Sequence, residues 1–289
     1  MSDDPFVAHR SLLFTVAYEL LGSAADAEDV VQEVWLRWVD VDHAEVRDPR
    51  AYLVRVVTRQ ALNRLRTLSR RREEYVGPWL PEPLLTSPDV AEDVELAESV
   101  SVAMLTVLET LGPTERAVFV LREVFDTSYD EIAAALDKSP SAVRQIAHRA
   151  RAHVAARRPR MEVDTTEQQA VVERFLAAVH SGDVQGLLDV LAPDVVVVAD
   201  GGGLAPAVRH PVAGAERVAR LMAQFAKVAP DARVGTMWLN GALAVRIDVA
   251  GELHGVVSLV IDDGRITHIY GVNNPDKLGR LDEAIPVSK

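Results

Sequence analysis

Residues 128–154 read SYDEIAAALDKSPSAVRQIAHRARAHV, and the punctuation of this stretch decides the fold of the helical part. Ser128, with Glu131 three residues on, is a capping box that opens a short helix with Ile132, Ala135 and Leu136 inside. Asp137-Lys138-Ser139 makes a tight turn, and Pro140 suits the first position of the helix that follows. In that second helix Val143, Ile146, Ala150 and Val154 share the inward face, which leaves Arg144, Gln145, His148 and Arg149 outside. A short capped helix, a tight turn and a basic second helix constitute a helix-turn-helix. Arginine reads guanine and glutamine reads adenine in the major groove, so the outer set suits DNA; a plain helical bundle with a basic surface is the competing reading.

Two more helical blocks lie upstream. Leu12, Leu13, Val16, Ala17, Leu20 and Leu21 repeat with helical spacing until Gly22 stops them. Ser23 can cap the next helix, whose apolar face is Ala27, Val30, Val31, Val34 and Trp38, with Asp26, Asp29, Glu33 and Arg37 opposite. After Asp48-Pro49 a longer helix carries Leu53, Val57, Ala61 and Leu65 on one side and Arg55, Arg59 and Arg66 on another. Gly112-Pro113-Thr114 opens a further helix with Val118, Leu121 and Phe125. Between the blocks, Trp79-Leu80-Pro81-Glu82-Pro83 cannot be helical and is expected to be extended, its tryptophan docked rather than left in water.

The net charge of −12 argues against nucleic acid, but its distribution reverses the argument. Arg50 to Arg72 holds eight arginines and no acid; Glu73 to Ser99 holds eight acids and no Lys or Arg; Lys138 to Arg160 holds seven Lys or Arg and no acid. Screening makes phosphate binding depend on local charge, and two basic blocks on either side of an acidic connector suit a two-point contact. A hydrophobic fraction of 48% excludes a disordered or fibrous chain, and the lack of cysteine excludes disulfides and thiolate chemistry. There is no long apolar run for a membrane span, and Met1-Ser2-Asp3-Asp4-Pro5 does not look like a secretory signal; a cytoplasmic location is expected.

The block Ala25-Asp26-Ala27-Glu28-Asp29-Val30-Val31-Gln32-Glu33-Val34-Trp35 resembles the core-polymerase-binding helix of extracytoplasmic-function (ECF) sigma factors. Asp48 through Arg72 looks like the −10 segment of the same region 2, and residues 113–157 look like region 4, which reads the −35 element. Asp137 stands where the family turn usually has glycine, and aspartate tolerates the left-handed conformation; Lys138 replaces a residue that is often apolar. The resemblance implies that Arg144, Gln145, His148 and Arg149 contact the −35 element, and that Arg55, Arg59, Asn63, Arg64 and Arg66 serve the −10 element. It places Asp29, Gln32, Glu33 and Trp35 on the polymerase face. The partners so implied are core RNA polymerase and promoter DNA, with no membrane.

The last 125 or so residues read as a helix capped by Thr165 or Thr166 and ended by Gly182, a second carrying Leu187, Leu188 and Leu191 that stops at Pro193, a strand of consecutive valines at 195–198 and a helix at 214–228. Strands follow near 233–239, 242–249, 253–261 and 265–272, with Asn240-Gly241 as a type I′ hairpin signal and Asp263-Gly264 marking the last turn. This part looks like a SnoaL-like domain, an α+β cone with a pocket. Asp200-Gly201-Gly202-Gly203, Asn274-Pro275-Asp276-Lys277-Leu278 and Trp79 through Pro83 resemble motifs of the sigma-J type, which carries such an extension. The expected fold is multidomain: region 2 (1–72), a linker (73–111), region 4 (112–160) and an α+β SnoaL-like domain (164–289). That domain is expected to be a fused intramolecular regulator of promoter use.

We expect Trp79, Pro81 and Pro83 to pack near Asp200, Gly201, Gly202 and Gly203 or near Asn274, Pro275, Asp276, Lys277 and Leu278. The alternative is a DNA-binding module fused to a SnoaL-like enzyme acting on a small metabolite, with Asp200, His210, Asp248, His254 and His268 as its acid–base candidates. Scattered His and Asp on strands are more often surface groups, so no catalytic residue is assigned. No metal-ligand spacing and no cofactor stand out, and a small ligand of unknown identity in the pocket is the remaining partner.

Overall fold

A computed structural model describes residues 4–72, 74–159 and 165–289. The chain forms two compact units, and it passes between them repeatedly: Met1–Glu74, Glu95–Arg158 and Ile285–Lys289 form the first, Tyr75–Val94 and Pro159–Ala284 the second.

In the first unit, α1 (Pro5–Leu21), α2 (Ala24–Val39) and α3 (Pro49–Arg72) pack on one another. Each starts and stops on a local signal. Asp4 accepts from the Phe6 amide at the start of α1, Gly22 ends it with φ 65°, and Ser23 caps α2 through the Asp26 amide. Asp48 caps α3 through the Ala51 amide. Leu13, Leu20, Val30, Val34, Trp38, Leu53 and Val57 form the core these helices share.

Residues 94–108, expected as part of the linker, are helical: α4 (Val94–Val100) and α5 (Val102–Leu108). Leu96, Val100, Leu105 and Leu108 are buried; acidic residues conceal the first helix in the sequence, and the second is a short uncharged run with no helical periodicity. α6 (Pro113–Phe119) continues into one π-helical turn over Val120–Val124. α7 (Tyr129–Leu136) and α8 (Pro140–Ala155) form the helix-turn-helix. Ser128 and Glu131 complete the capping box, Asp137 takes the left-handed corner at φ 53°, and Ser139 caps α8. Val143, Ala147, Ala150 and Val154 are buried; Ile146, expected inside, is only half-buried, and Ala147 takes the inner position.

The second unit is a six-stranded sheet with helices on one face. α9 (Thr165–Ser181) and α10 (Val184–Val190) lead into β1 (Leu191–Asp200), so Leu191 and Pro193 lie in a strand, not at the end of a helix as expected. β2 (Val212–Ala213), α11 (Ala215–Ala223) and α12 (Phe225–Val228) follow; the expected single helix is broken at Gln224. β3 (Ala232–Leu239), β4 (Ala242–Val249), β5 (Glu252–Asp262) and β6 (Arg265–Val272) complete the order β2-β1-β6-β5-β4-β3. All neighbours are antiparallel except β1 and β6. The hairpin corners Asn240-Gly241 and Asp263-Gly264 have positive φ at both residues, as a type I′ turn requires, and so does Ala250-Gly251. Val171, Phe175, Leu187, Val195, Val218 and Ile269 bind helices to sheet.

One core group of the first unit is ionisable. Glu19 on α1 is fully buried, beside Arg116 of α6, whose Nε donates to the Glu19 carbonyl at 2.8 Å and whose Nη1 pairs with Glu109. Burial pushes the Glu19 carboxyl up to about 8, against the opposing pull of Ser99, Arg116 and Lys289. The folded unit therefore keeps a proton that the unfolded chain loses at the ordinary carboxylate range. That contribution is complete below about pH 4.5 and is lost as pH rises through 8. In urea titrations, stability should fall by up to about 1.4 kcal/mol per pH unit across this window. Glu19→Gln should remove that slope.

Candidate functional site

The outer face of α8 is built by default: Val143, Ala147, Ala150 and Val154 are its buried residues, and most of what remains is basic or polar. Arg144, Gln145, His148 and Arg149 are all exposed. The Arg144 guanidinium lies 5.9 Å from the Tyr129 ring centre, and Arg149 is 3.8 Å from Glu115 with two thirds of its side chain in solvent.

The basic face of α3 is partly engaged within the protein. Arg59 donates from Nε to the Ala135 carbonyl and from Nη2 to the Ala134 carbonyl, both at 2.9 Å, and so holds the C-terminal end of α7. Arg64 lies within 3.6 Å of Asp26, 3.3 Å of Asp29 and 3.5 Å of Glu33. Arg55 lies over the Tyr52 ring at 5.4 Å, and Arg66 donates to Asn63. The last arginines of α3, Arg70 to Arg72, have side chains outside the described residues.

On α2, Asp29, Gln32 and Glu33 are exposed, and Trp35 packs on Phe6 at 4.9 Å between ring centres while still 37% exposed. Leu36 and Val39 continue this edge with more than half of their surface in solvent. An apolar strip beside carboxylates is unusual for a surface that meets only water, and it suits a protein partner.

The most closely knit polar cluster is in the second unit, where the linker meets the sheet. Asp200, at the end of β1, is fully buried, and four donors take its carboxylate. Tyr75 Oη (2.6 Å) and the Gly202 amide (3.0 Å) donate to Oδ1; the Leu80 amide (2.8 Å) and Lys277 Nζ (2.7 Å) donate to Oδ2. A carboxylate has about four acceptor sites, so this one is saturated. Lys277 also donates to the Leu80 carbonyl and sits 4.1 Å from the Trp79 ring centre and 5.1 Å from that of Tyr75. Asn274 Nδ2 donates to Tyr75 Oη at 2.7 Å. Burial and the neighbouring Asp200 raise the Tyr75 phenol above its ordinary range, so it stays a neutral donor.

The glycines have steric reasons. A Cβ on Gly202, which has φ 59°, would stand 2.4 Å from Asn274 Nδ2, and one on Gly201 would stand 2.2 Å from the Ala205 carbonyl. A second attachment follows along the linker. The Leu84 amide donates to Asn240 Oδ1 (3.0 Å), the Asn240 amide to the Leu84 carbonyl (2.9 Å), and the Gly241 amide to Thr86 Oγ1 (3.0 Å). Pro81, Glu82 and Pro83 are buried between the two attachments, with Glu82 Oε1 4.0 Å from Arg280 Nε. Leu278 is buried beside the cluster's tail, whereas Pro275 and Asp276 are exposed, the Asp276 amide capping onto Asn274. Tyr75, Thr86 and Asn240 were not expected here; Asn240 had a signal only as a turn residue.

The acid–base candidates are not brought together. Asp200 is spent on the linker, Asp248 is paired with Arg246 at 2.8 Å and held below its ordinary range by that partner, and His210 and His254 are exposed. His268 stacks on Tyr270, and burial lowers its pKa. A cavity of about 160 Å³ between helices and sheet is lined by none of them.

With this geometry in view, the similarities to known proteins are consistent along the chain. Family models match in order: Sigma-70 region 2 over residues 6–71, Sigma-70 region 4 over 101–154 and a SnoaL-like domain over 172–269. The ECF RNA polymerase sigma factor SigJ of Mycobacterium tuberculosis is 36% identical, with 96% of this chain and 93% of SigJ covered. This chain belongs to the ECF sigma factors. The probable ECF sigma factor SigI of the same organism is 33% identical, over 95% of this chain and 93% of SigI. The crystal structure of M. tuberculosis SigJ superposes with a TM-score of 0.78 at 34% identity, covering 96% of this sigma factor and 98% of SigJ. Among the described residues no helix is long and apolar enough to cross a membrane.

In this sigma factor Asp200→Ala should cost about 3–5 kcal/mol in the C-terminal unit, because it leaves the Lys277 ammonium buried without its counter-charge. Asp200→Ala with Lys277→Met should recover much of that loss. Hydrogen exchange of the Leu80 and Leu84 amides checks this: fast in the single variant, slower in the double.

Proposed function

We propose that this sigma factor carries its own regulator, with the C-terminal SnoaL-like domain controlling promoter use through the linker between regions 2 and 4. On this reading Asp29, Gln32, Glu33 and Trp35 of α2 meet core RNA polymerase. The outer face of α8, with Arg144, Gln145, His148 and Arg149, reads the −35 element, and Arg55, Arg59, Asn63, Arg64 and Arg66 of α3 serve the −10 element in the cytoplasm. The observation that carries the proposal is the saturated Asp200 carboxylate, which takes donors from both Tyr75 and Leu80 and thereby clasps the connector of the two DNA-reading modules. A clasped connector restricts the separations those modules can adopt. Arg59 restricts them further, since it must leave the α7 carbonyls before it can reach DNA.

The domain's role on this reading is regulatory and not catalytic. Among the described residues its cavity is lined by apolar side chains and one asparagine, which offers no acid or base for proton transfer.

Run-off transcription with purified core polymerase tests both halves. Arg144→Ala and Arg149→Ala should each cost about 1–3 kcal/mol in promoter affinity and relax specificity in the −35 element. If both leave transcription unchanged, α8 is not the reader. Trp79→Ala, which loosens the clasp without touching α3 or α8, should change the amount of transcript several-fold while the start site and the promoter read stay the same. Equal output from wild type, Trp79→Ala and a chain ending at residue 160 would reject the regulatory role.

A further inference from the structure

The segment Ile285–Lys289 belongs to the first compact unit, although the stretch that leads to it belongs to the second. We propose that α1 and α4 form a docking surface for a short peptide, that Ile285–Lys289 is its occupant, and that this segment is a detachable strap tying region 2 to the helices that lead into region 4. The strap's effect on transcription rests on the regulatory reading above; its docking does not.

The burial pattern sets the segment apart from what precedes it. Leu281 is buried, Asp282, Glu283 and Ala284 are exposed, and Val287 is buried again with 9% of its surface in solvent. Three exposed residues therefore give the strap slack to lift without unpacking Leu281. Its contacts are those of a bound peptide: a backbone bond, an apolar anchor and a charged anchor. The Ser288 amide donates to Thr15 Oγ1 at 3.0 Å. Thr15 is fully buried on α1, and its hydroxyl donates onward to the Ser11 carbonyl at 2.8 Å, which turns a lone pair toward the strap. Val287 is the apolar anchor. Lys289 Nζ lies 2.9 Å from a carboxylate oxygen of Glu95 on α4, and its side chain is only 24% exposed, so the stem packs while the ammonium pairs.

The two helices present matched positions to this segment. Thr15 and Glu19 stand one turn apart on α1, and Glu95 and Ser99 one turn apart on α4. The strap meets Thr15 and Glu95 directly, while Ser99 and the Lys289 ammonium both act on the buried Glu19 carboxyl. Strap, α1 and α4 thus share one cluster. A segment of five residues can hold both helices only while they stay adjacent. The Arg59 bonds to α7 and the strap both join region 2 to the chain of region 4, so both oppose its departure. Three contacts suffice for a segment that is already tethered, and they are few enough to release it.

The chain has no cysteine, so Val287→Cys introduces a single thiol whose modification reports release of the strap. In the full-length protein it should react with a maleimide at least about ten-fold more slowly than the thiol of Glu283→Cys, placed in the exposed stretch. Thr15→Val keeps the shape and removes the acceptor, and should speed the reaction about three- to ten-fold. Lys289→Glu should speed it about two- to five-fold, and Glu95→Lys added to Lys289→Glu should slow it again, a rescue that damage to the fold cannot imitate. Core polymerase with promoter DNA should remove most of the protection. In run-off transcription Val287→Asp and a chain ending at Ala284 should both raise output several-fold from the same start site; the shortened chain carries this test if Val287→Asp does not fold. Equal reactivity of the two thiols, or protection that neither Thr15→Val nor the charge reversals alter, overturns the docking. A thiol that stays protected in the promoter complex, or strap variants that transcribe like wild type, leaves the docking in place and overturns the strap as a control of transcription. If Trp79→Ala and the chain ending at residue 160 also transcribe like wild type, the regulatory reading itself falls.

Discussion

The carboxylate of Asp200 is buried completely, and its burial is tolerable only because four donors converge on it, one from its own loop and three from two distant stretches of chain. Taking an ionised group out of water costs several kcal/mol, and the cost is offset only while the partners stay in place. Tyr75 and Leu80 come from the linker, Gly202 from the loop after β1, and Lys277 from the turn after β6. Removing one of them exposes the others to an unmet charge, so the partners hold or release as a set. The three short sequence motifs in the linker, the glycine loop and the tail are in this sense one structure. The glycines admit the approach of Asn274, the lysine supplies the counter-charge, and the tryptophan and tyrosine rings cover the ammonium.

The helical unit follows the same logic with a different outcome. Its arginines are long enough to find carbonyls and carboxylates within the protein, and Arg59, Arg64 and Arg116 have done so. Arg116 is buried against α1 and Glu109, a permanent packing role. Arg59 is an exposed residue that caps the end of α7 with two hydrogen bonds to neutral carbonyls, which are weaker than a bond to phosphate. The basic block on α3 is thus a reserve of charge held loosely, while the block on α8 faces solvent directly.

Local signals in the sequence located nearly every element that is specified locally. Caps at Ser23, Ser128 and Ser139, the stop at Gly22 and the paired positive-φ corners at Asn240-Gly241 and Asp263-Gly264 each depend on a few adjacent residues. The failures have the opposite character. α4 is concealed by the acidic residues that dominate 73–99, and α5, a short uncharged run, shows no periodic pattern of its own; both are stabilised by burial of Leu96, Leu105 and Leu108. Tyr75 follows an acidic run and shows no pattern of its own, yet it donates to a residue 125 positions away. Asn240 is legible as a turn residue, but its side chain's service to Leu84 is a tertiary fact. The Ala250-Gly251 corner lacks the Asn or Asp that marks the other two. Arg59 is placed correctly on the basic side of α3 by periodicity, which says nothing about the α7 carbonyls it meets.

The parallel pairing of β1 with β6 gives the cavity and the clasp a common frame. Every other neighbouring pair in the sheet is antiparallel and ends in a hairpin or an edge, but these two strands run together and finish together at Asp200 and Val272. Side chains alternate across a strand, so Ala199 and Gly271 face the cavity while Asp200 points to the opposite face, toward the linker. A shift of the backbone at this end is shared by both faces. On the cavity face the residues are the smallest available. On the linker face the contacts are charged, short and saturated, which makes them sensitive to small displacements. The cavity end of β1 and β6 thus shares its backbone with the carboxylate clasp, and the two faces of one strand pair carry apolar packing on one side and a charged attachment on the other.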